Sequence, residues 1–268
     1  YYFPEKRAAF HNLRTNIFGG SATGSAAIEN VPGESRIVLD LGYSGVDAAA
    51  LANSYPWDPK YRIYSNVTGT LNGWFEGKME RYLFAGNANF KPYTPPSVAG
   101  VVPLPIEGTT GYQITPGQVR VSNGDLRFGS THVEADGVIT EKNTDLKVVM
   151  DSTDLRDAYF IYDDANGTGT FDGTLTGPIK TPVLTGDFAL KNHSYQKKWT
   201  IEDAAGHVRL DTMTEIADLE RVHLRQGRSE IVVSGTTALN GSPADLDIQA
   251  DRVFAEDLRA FVDRKIGG

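Results

Sequence analysis

The chain repeats itself. Thr68-Gly-Thr-Leu71 is matched by Thr168-Gly-Thr-Phe171, Gly73 and Gly77 by Gly173 and Gly177, and Gly86-Asn-Ala-Asn-Phe90 by Gly186-Asp-Phe-Ala-Leu190, each at an offset of 100 positions. A single shared turn would not hold that register over so many positions, so the spacing points to an array of like units. A second pattern occurs three times: a turn-forming glycine, a β run, an alternating strand, then a short acidic segment. It runs from Phe18-Gly-Gly20 through Arg36–Tyr43 to Val46–Leu51, from Leu126–Gly129 through Val133–Ile139 and Asp145–Met150 to Asp154-Leu155, and from Leu224–Gly227 through Ile231–Leu239 and Ala244–Ala250 to Asp257-Leu258. Approximate copies fall at 1–110, 111–210 and 211–268, the last incomplete, within one repeat-built segment.

Period-two alternation identifies the building block as a strand with one apolar and one polar face. Ile37, Leu39, Leu41 and Tyr43 oppose Arg36 and Asp40; Leu146, Val148 and Met150 oppose Asp145 and Lys147; Leu246, Ile248 and Ala250 oppose Asp245, Asp247 and Gln249. Glycine is abundant, 28 of 268 residues, and recurs in Thr/Asn/Asp-Gly clusters that suit tight turns between strands. Helix is scarce. Ser44 to Asn53 reads as a short helix capped by Ser44, and Phe254, Leu258, Phe261 and Val262 form an amphipathic stripe. The prolines between Lys91 and Pro105 are expected to keep that stretch out of any sheet, as a connection between copies.

A formal charge of −8, with no basic run longer than a pair, argues against a nucleic-acid partner. Without cysteine there is neither a disulfide framework nor a thiolate metal site. No stretch approaches the roughly 20 apolar residues that span a bilayer as a helix.

Catalytic signatures are equally lacking. None of the five histidines, His11, His132, His193, His207 and His223, sits in a recognisable motif, and no G-x-S-x-G elbow occurs. Asp163 to Thr170 has oxygen ligands at alternate positions, but Leu175 stands where a calcium loop would close on a bidentate Glu, so a turn is the better reading. Asp151, Asp154, Asp157, Asp163 and Asp164 read as a solvated face rather than as an acid/base pair. No enzyme activity, cofactor or metal is expected.

An apolar sheet face must be covered by helices, by a second sheet or by a ligand. Helices are too few, which leaves a sandwich or an open trough. The phrase Gly169–Leu190, with Gly173, Leu175, Gly177, Pro182 and Gly186 spaced as G-x-L-x-G-x-x-x-x-P-x-x-x-G, resembles the AsmA/TamB group of bacterial envelope proteins. The first copy keeps Gly73, Gly77 and Gly86 but has no proline matching Pro182.

The resemblance implies an all-β fold: an elongated, twisted antiparallel sheet of ~100-residue repeats curled into a half-pipe, with an apolar concave groove and few short helices. It implies a periplasmic segment, internal to a longer anchored protein, that passively carries phospholipid acyl chains between the inner and outer membranes. The side chains expected from alternation to line the groove are Ile37, Leu39, Leu41, Phe90, Leu146, Val148, Met150, Phe188, Leu190, Leu246 and Ile248. Two other functions stay open. One is an assembly or translocation factor for outer-membrane or secreted proteins, with a β-barrel partner and strand edges that capture a client. The other is a structural β module with its apolar faces sealed.

Overall fold

A computed structural model describes residues 7–30, 35–52, 61–77, 79–94, 102–140, 142–158, 166–179, 181–195, 199–238, 244–254 and 256–257. The chain divides into two units, Tyr1–Phe128 with Ala135–Glu141, and Gly129–Glu134 with Lys142–Gly268. Three strands open it, β1 (Arg7–Ile17), β2 (Gly20–Asn30) and β3 (Ser35–Asp47), followed by the short helix α1 (Ala48–Ala52). Next come β4 (Tyr61–Ile63), β5 (Ser65–Glu76), β6 (Arg81–Pro92), β7 (Val102–Leu104), β8 (Glu107–Thr115), β9 (Gln118–Phe128) and β10 (Thr131–Thr140). After β11 (Thr144–Ser152) a 3-10 turn covers Leu155–Ala158, and β12 (Thr168–Gly177), β13 (Val183–Tyr195), β14 (Trp199–Asp211), β15 (Ile216–Gln226), β16 (Ser229–Ala238) and β17 (Asp245–Arg252) complete the order. Leaving out β4 and β7, fifteen strands form one unclosed antiparallel sheet in chain order, with β1 and β17 at its edges.

Turn chemistry explains the meander. Phe18 and Gly19 both have positive φ (43° and 79°), the left-handed pair of a two-residue hairpin, and join β1 to β2. Gly129 (63°) and Gly227 (58°) take the first position of equivalent turns between β9 and β10 and between β15 and β16. Asn12, Asn123 and Arg221, each the same number of positions ahead of its turn, also have positive φ, and the β1–β2, β8–β9 and β14–β15 registers slip beside them. These are β-bulges, which bend the strand and raise its twist. The N–H groups they turn aside find side-chain acceptors on the next strand: Asn123 donates to Asp136 Oδ1 at 2.9 Å and Arg221 to Ser234 Oγ at 3.1 Å.

Carboxylates clasp two of these hairpins. Ser130 donates to Asp157 Oδ2 through its N–H (2.6 Å) and its hydroxyl (2.7 Å). At the third turn, Arg228 N–H, Ser229 N–H and Ser229 Oγ–H all donate to Asp257 Oδ2, at 3.0, 3.0 and 2.8 Å. Oxygen-rich anchors of this kind satisfy backbone donors that a bare turn leaves to water.

Two sequence expectations need correction. The helix foreseen over Ser44 to Asn53 is shorter, because β3 continues to Asp47; the cap is Asp47, whose Oδ1 accepts the Ala49 N–H at 2.9 Å, and not Ser44. The proline stretch is not wholly outside a sheet: Lys91 and Pro92 end β6, with Pro92 opposite Ser65 of β5, and Pro103 stands in β7, opposite Arg62 of β4 in a parallel pair. A two-stranded ribbon consists of edges alone, so a missing N–H on the outward side costs no ladder bond. Leu258, Phe261 and Val262 of the expected amphipathic stripe, and Asp163 and Asp164, lie outside the described residues.

In the first unit, Val46, Ala48, Val67 and Ala88 form a buried cluster, with Tyr43, Ile63, Phe90 and Tyr112 packed on it. Beside it Ser65 is fully buried and bonds both ways with Ile106, donating to its carbonyl at 2.6 Å and accepting from its N–H at 3.1 Å. Tyr93 packs edge-on against Tyr64 and donates to Asp47 Oδ1 at 2.9 Å. Burial, reinforced by that bond, pushes the Tyr93 phenol up to about 12. Leu155 and Phe171 are among the buried residues of the second unit.

Candidate ligand-binding face

Residues directly opposite one another in an antiparallel ladder point to the same side of the sheet, so the registers define each face residue by residue. In the first unit one row runs Phe10, Ala26, Leu39, Gly73, Phe84, Ile114, Val119, from β1 to β9. The next row runs Leu13, Gly24, Leu41, Leu71, Gly86, Tyr112, Val121, and a third joins Ile28, Ile37, Phe75 and Tyr82. No charged residue interrupts them. The opposite face carries rows such as Glu29, Arg36, Glu76, Arg81 and Ser25, Asp40, Asn72, Ala85.

The second unit has the same division. One row reads Leu146, Leu175, Leu184, Leu210, Ala217; a second reads Val148, Gly173, Gly186, Val208, Leu219, Gly235, Leu246. A third links Met150, Phe171 and Phe188, a fourth Gly169, Leu190, Ala204, Leu224, Ile231 and Ala250, and Val222, Val233 and Ile248 complete the face. Behind them, Lys147, Thr174, Thr185, Arg209, Asp218, Thr236 and Asp245 form a polar row.

Glycines on the apolar faces are sites of close approach. A β-carbon on Gly86 would lie 1.8 Å from the carbonyl oxygen of Thr70, and one on Gly173 2.2 Å from that of Thr185. Aromatic rings lie over the bare backbone this leaves: Phe171 reaches both Gly173 and Gly186, Tyr43 covers Gly69 and Tyr112 covers Gly86. Tyr43 reaches over β5 to donate to the Asn87 carbonyl on β6 at 2.7 Å, and Tyr112 reaches over β6 to donate to the Thr70 carbonyl on β5 at 2.8 Å. Desolvation holds both phenols above their ordinary pKa, so both stay neutral donors. The matched glycines do not take matching partners, however: Gly73 faces Phe84, whereas Gly173 faces Gly186.

Every candidate lining residue read from the sequence falls on these faces. Ile37, Leu39 and Leu41 are half-buried in the first unit; Phe90 shares their face but packs on the closed cluster of Val46, Ala48, Val67 and Ala88. Leu146, Val148, Met150, Phe188, Leu190 and Leu246 are half-buried in the second unit, and Ile248 is 60% exposed. Among the described residues the helical elements are too short to roof either face, and the only other sheet is the two-stranded β4–β7 ribbon. Phe10, Leu13, Leu71, Phe84, Val121, Phe171, Leu184, Leu219 and Ile231 share the faces without having been singled out. Bulges shift the alternation by one in β1 and β15, and glycines blank it in β5 and β12, yet counting glycine as an inward position would have restored the pattern.

The polar groups among the described residues are held in local pairs. His207 Nδ1 lies 2.9 Å from Asp187 Oδ1, a carboxylate 83% exposed on the charged face, and His193 Nδ1 lies 3.0 Å from the Asn166 carbonyl. Asp154 pairs with Arg156, whose hydrogen bonds hold its carboxyl below the usual range, while Asp157 serves the hairpin clasp. Glu76, a buried carboxylate, is neutralised by Arg36 (2.7 Å) and Arg81 (3.0 Å), and the Arg36 guanidinium lies 4.6 Å from the Trp74 ring centre. No cluster of three or more metal-ligating side chains occurs among the described residues. A cavity of about 10 Å³ beside Ile201, Leu224, Ser229 and Asp257 has room for roughly one water. No protein-family model, curated protein or solved structure matches the chain.

Proposed function

We propose that this chain is a passive lipid conduit of the bacterial cell envelope: its apolar faces hold phospholipid acyl chains while head groups stay in water, and so carry lipid across the periplasm between the inner and outer membranes. The observation that carries this reading is the register, which within each unit collects apolar residues from strand after strand on one face and most of the charges on the other, a face that in the first unit also bears the apolar row Ala27, Val38, Trp74 and Leu83. A closed sandwich would remove the central side chains from water completely, whereas Leu39, Leu41, Val148 and Phe188 keep partial access.

Within each unit the face acts as a trough. Each methylene taken from water gains about 0.8 kcal/mol, so an apolar path removes a barrier of many kcal/mol without any bond being made or broken. Loose selectivity among chain types follows, because apolar contact specifies no particular partner and buried hydroxyls on the face, such as those of Thr144, Ser152 and Ser229, stand at the ends of their strands. The sheet is read as an array of ~100-residue repeats, supported by the recurrence of hairpin, bulge and clasp rather than by the glycine phrase, whose members differ in pairing. The resemblance to the AsmA/TamB group points the same way.

Mass spectrometry of organic extracts from gently purified protein tests the reading, with Ile248→Asp and Leu146→Asp variants alongside. Phospholipid should accompany the parent and fall several-fold in the variants while the β spectrum is retained. Protein free of lipid under every mild condition, with both variants unfolded, would mean that the faces form an ordinary sealed core.

A further inference from the structure

Two phenols meet in mid-strand on the apolar face of the first unit. Tyr43 of β3 and Tyr112 of β8 lean toward each other over β5 and β6, above a floor of Gly69, Leu71, Gly86 and Ala88. Their hydroxyls interact with one another, so both oxygens sit at one spot. That spot is a boundary. On one side lies the buried cluster of Val46, Ala48, Val67 and Ala88, against which both rings pack. On the other side begin the half-buried residues Leu41 and Leu71, then Leu39, Phe84 and Ile114 in the next row.

Neither phenol has a hydrogen left to offer. Tyr43 donates to the Asn87 carbonyl at 2.7 Å and Tyr112 to the Thr70 carbonyl at 2.8 Å. Turning either hydrogen toward a ligand would take it from that carbonyl. Thr110, opposite Ala88 and so beside the phenols on the same face, is committed in the same way, donating to the Gly111 carbonyl at 3.1 Å. What remains on each phenol oxygen is the capacity to accept.

We propose that the Tyr43–Tyr112 pair is a selective site on the first unit's apolar face, which takes a neutral lipid bearing a free hydroxyl, of the long-chain alcohol or acylglycerol class, by accepting that hydroxyl's hydrogen. This rests on the reading that the face holds acyl chains: a chain lying over Leu39, Leu41, Leu71 and Phe84 brings its polar end to the phenols, where the open rows meet the closed cluster. Ester, ether and phosphodiester oxygens only accept, as the phenols do, so at this spot they would lose water without gaining a donor. A phospholipid therefore keeps its head group away from the pair and in solvent. The face then discriminates little among chains and more among polar ends.

Photolabelling of the full chain tests this, with hexadecanol carrying a diazirine beside its hydroxyl and with the methyl ether of the same probe. Labelled peptides are located by mass spectrometry, and those of β12 and β13 in the second unit serve as the internal reference. Relative to that reference, the alcohol should label the β5 and β6 peptides at least about fivefold more than the ether does, the worth of one hydrogen bond to a neutral acceptor. In a Tyr43→Phe/Tyr112→Phe variant, which keeps both rings over their glycines, the two probes should label β5 and β6 equally while the ether's own labelling is unchanged. Circular dichroism checks that the variant keeps its strands. Equal labelling by the two probes in the parent, or a preference for the alcohol that survives in the folded variant, would overturn the selective site and leave the lipid-holding face standing. Labelling of neither unit by either probe would overturn both.

Discussion

At Gly86 the strands β5 and β6 come so close that a β-carbon would lie 1.8 Å from the Thr70 carbonyl and 3.0 Å from the Tyr112 hydroxyl. Neither obstacle is free: the carbonyl belongs to the ladder and also accepts the Tyr112 hydrogen bond. Gly117 contrasts with it, being left-handed (φ +71°) but with nothing within 4 Å of its would-be β-carbon. Gly86→Ala should therefore displace backbone and lose about 3 kcal/mol or more, in the range of the severest single substitutions. Gly117→Ala meets only the left-handed backbone penalty, about 1 kcal/mol. Urea unfolding of both variants measures the difference, and equal losses would mean that the close approach relaxes without cost.

The hairpin clasps act at the scale of an element. Asp257 accepts three hydrogen bonds from the β15–β16 turn, and these, led by the Ser229 hydroxyl, hold its carboxyl below the usual range. A depressed carboxyl contributes stability that is present above its unfolded value, about 3.9, and is lost as pH falls through the folded value. Amide exchange at Arg228 and Ser229, measured by mass spectrometry, should accelerate in Asp257→Asn at neutral pH, and acid should remove the parent's protection there. Unchanged exchange would show that the turn holds without the carboxylate. The three turns were legible as Phe18-Gly19, Gly129 and Gly227, because left-handed turn positions select glycine or a short list of alternatives. Less could be read where tertiary context decides: β3 runs through Ser44 because its ladder with β5 outweighs a local capping signal, and Pro103 joins a strand because the partner across from it offers an edge. Which residues share an apolar sheet face was legible wherever alternation was unbroken, as in Ile37–Leu41 and Leu146–Met150. Phe171 and Leu219 escaped notice because the signal lies in cross-strand register, which a single strand does not contain.

For the molecule as a whole, the proposed conduit would make two different demands of the same face, holding lipid and passing it on. Holding is a sum over contacts, so losing one row leaves the others: Val148 is one residue of a row that also includes Val208, Leu219 and Leu246. Passage is a series, so the worst point sets the rate. A carboxylate at position 148 must be desolvated whenever an acyl chain moves over it, at a cost of at least about 2 kcal/mol, or roughly thirtyfold in rate. Lys147, one residue along β11, points to the charged side, and an acid there meets no acyl chain. Val148→Asp should thus lose bound phospholipid no more than several-fold, as Leu146→Asp does, since most of the apolar contact area remains. It should nevertheless slow transfer of a fluorescent phospholipid between donor and acceptor vesicles about thirtyfold, while Lys147→Asp changes neither. Equal losses of binding and transfer in Val148→Asp would identify the face as a store for lipid rather than a path, because only a path depends on its single worst step.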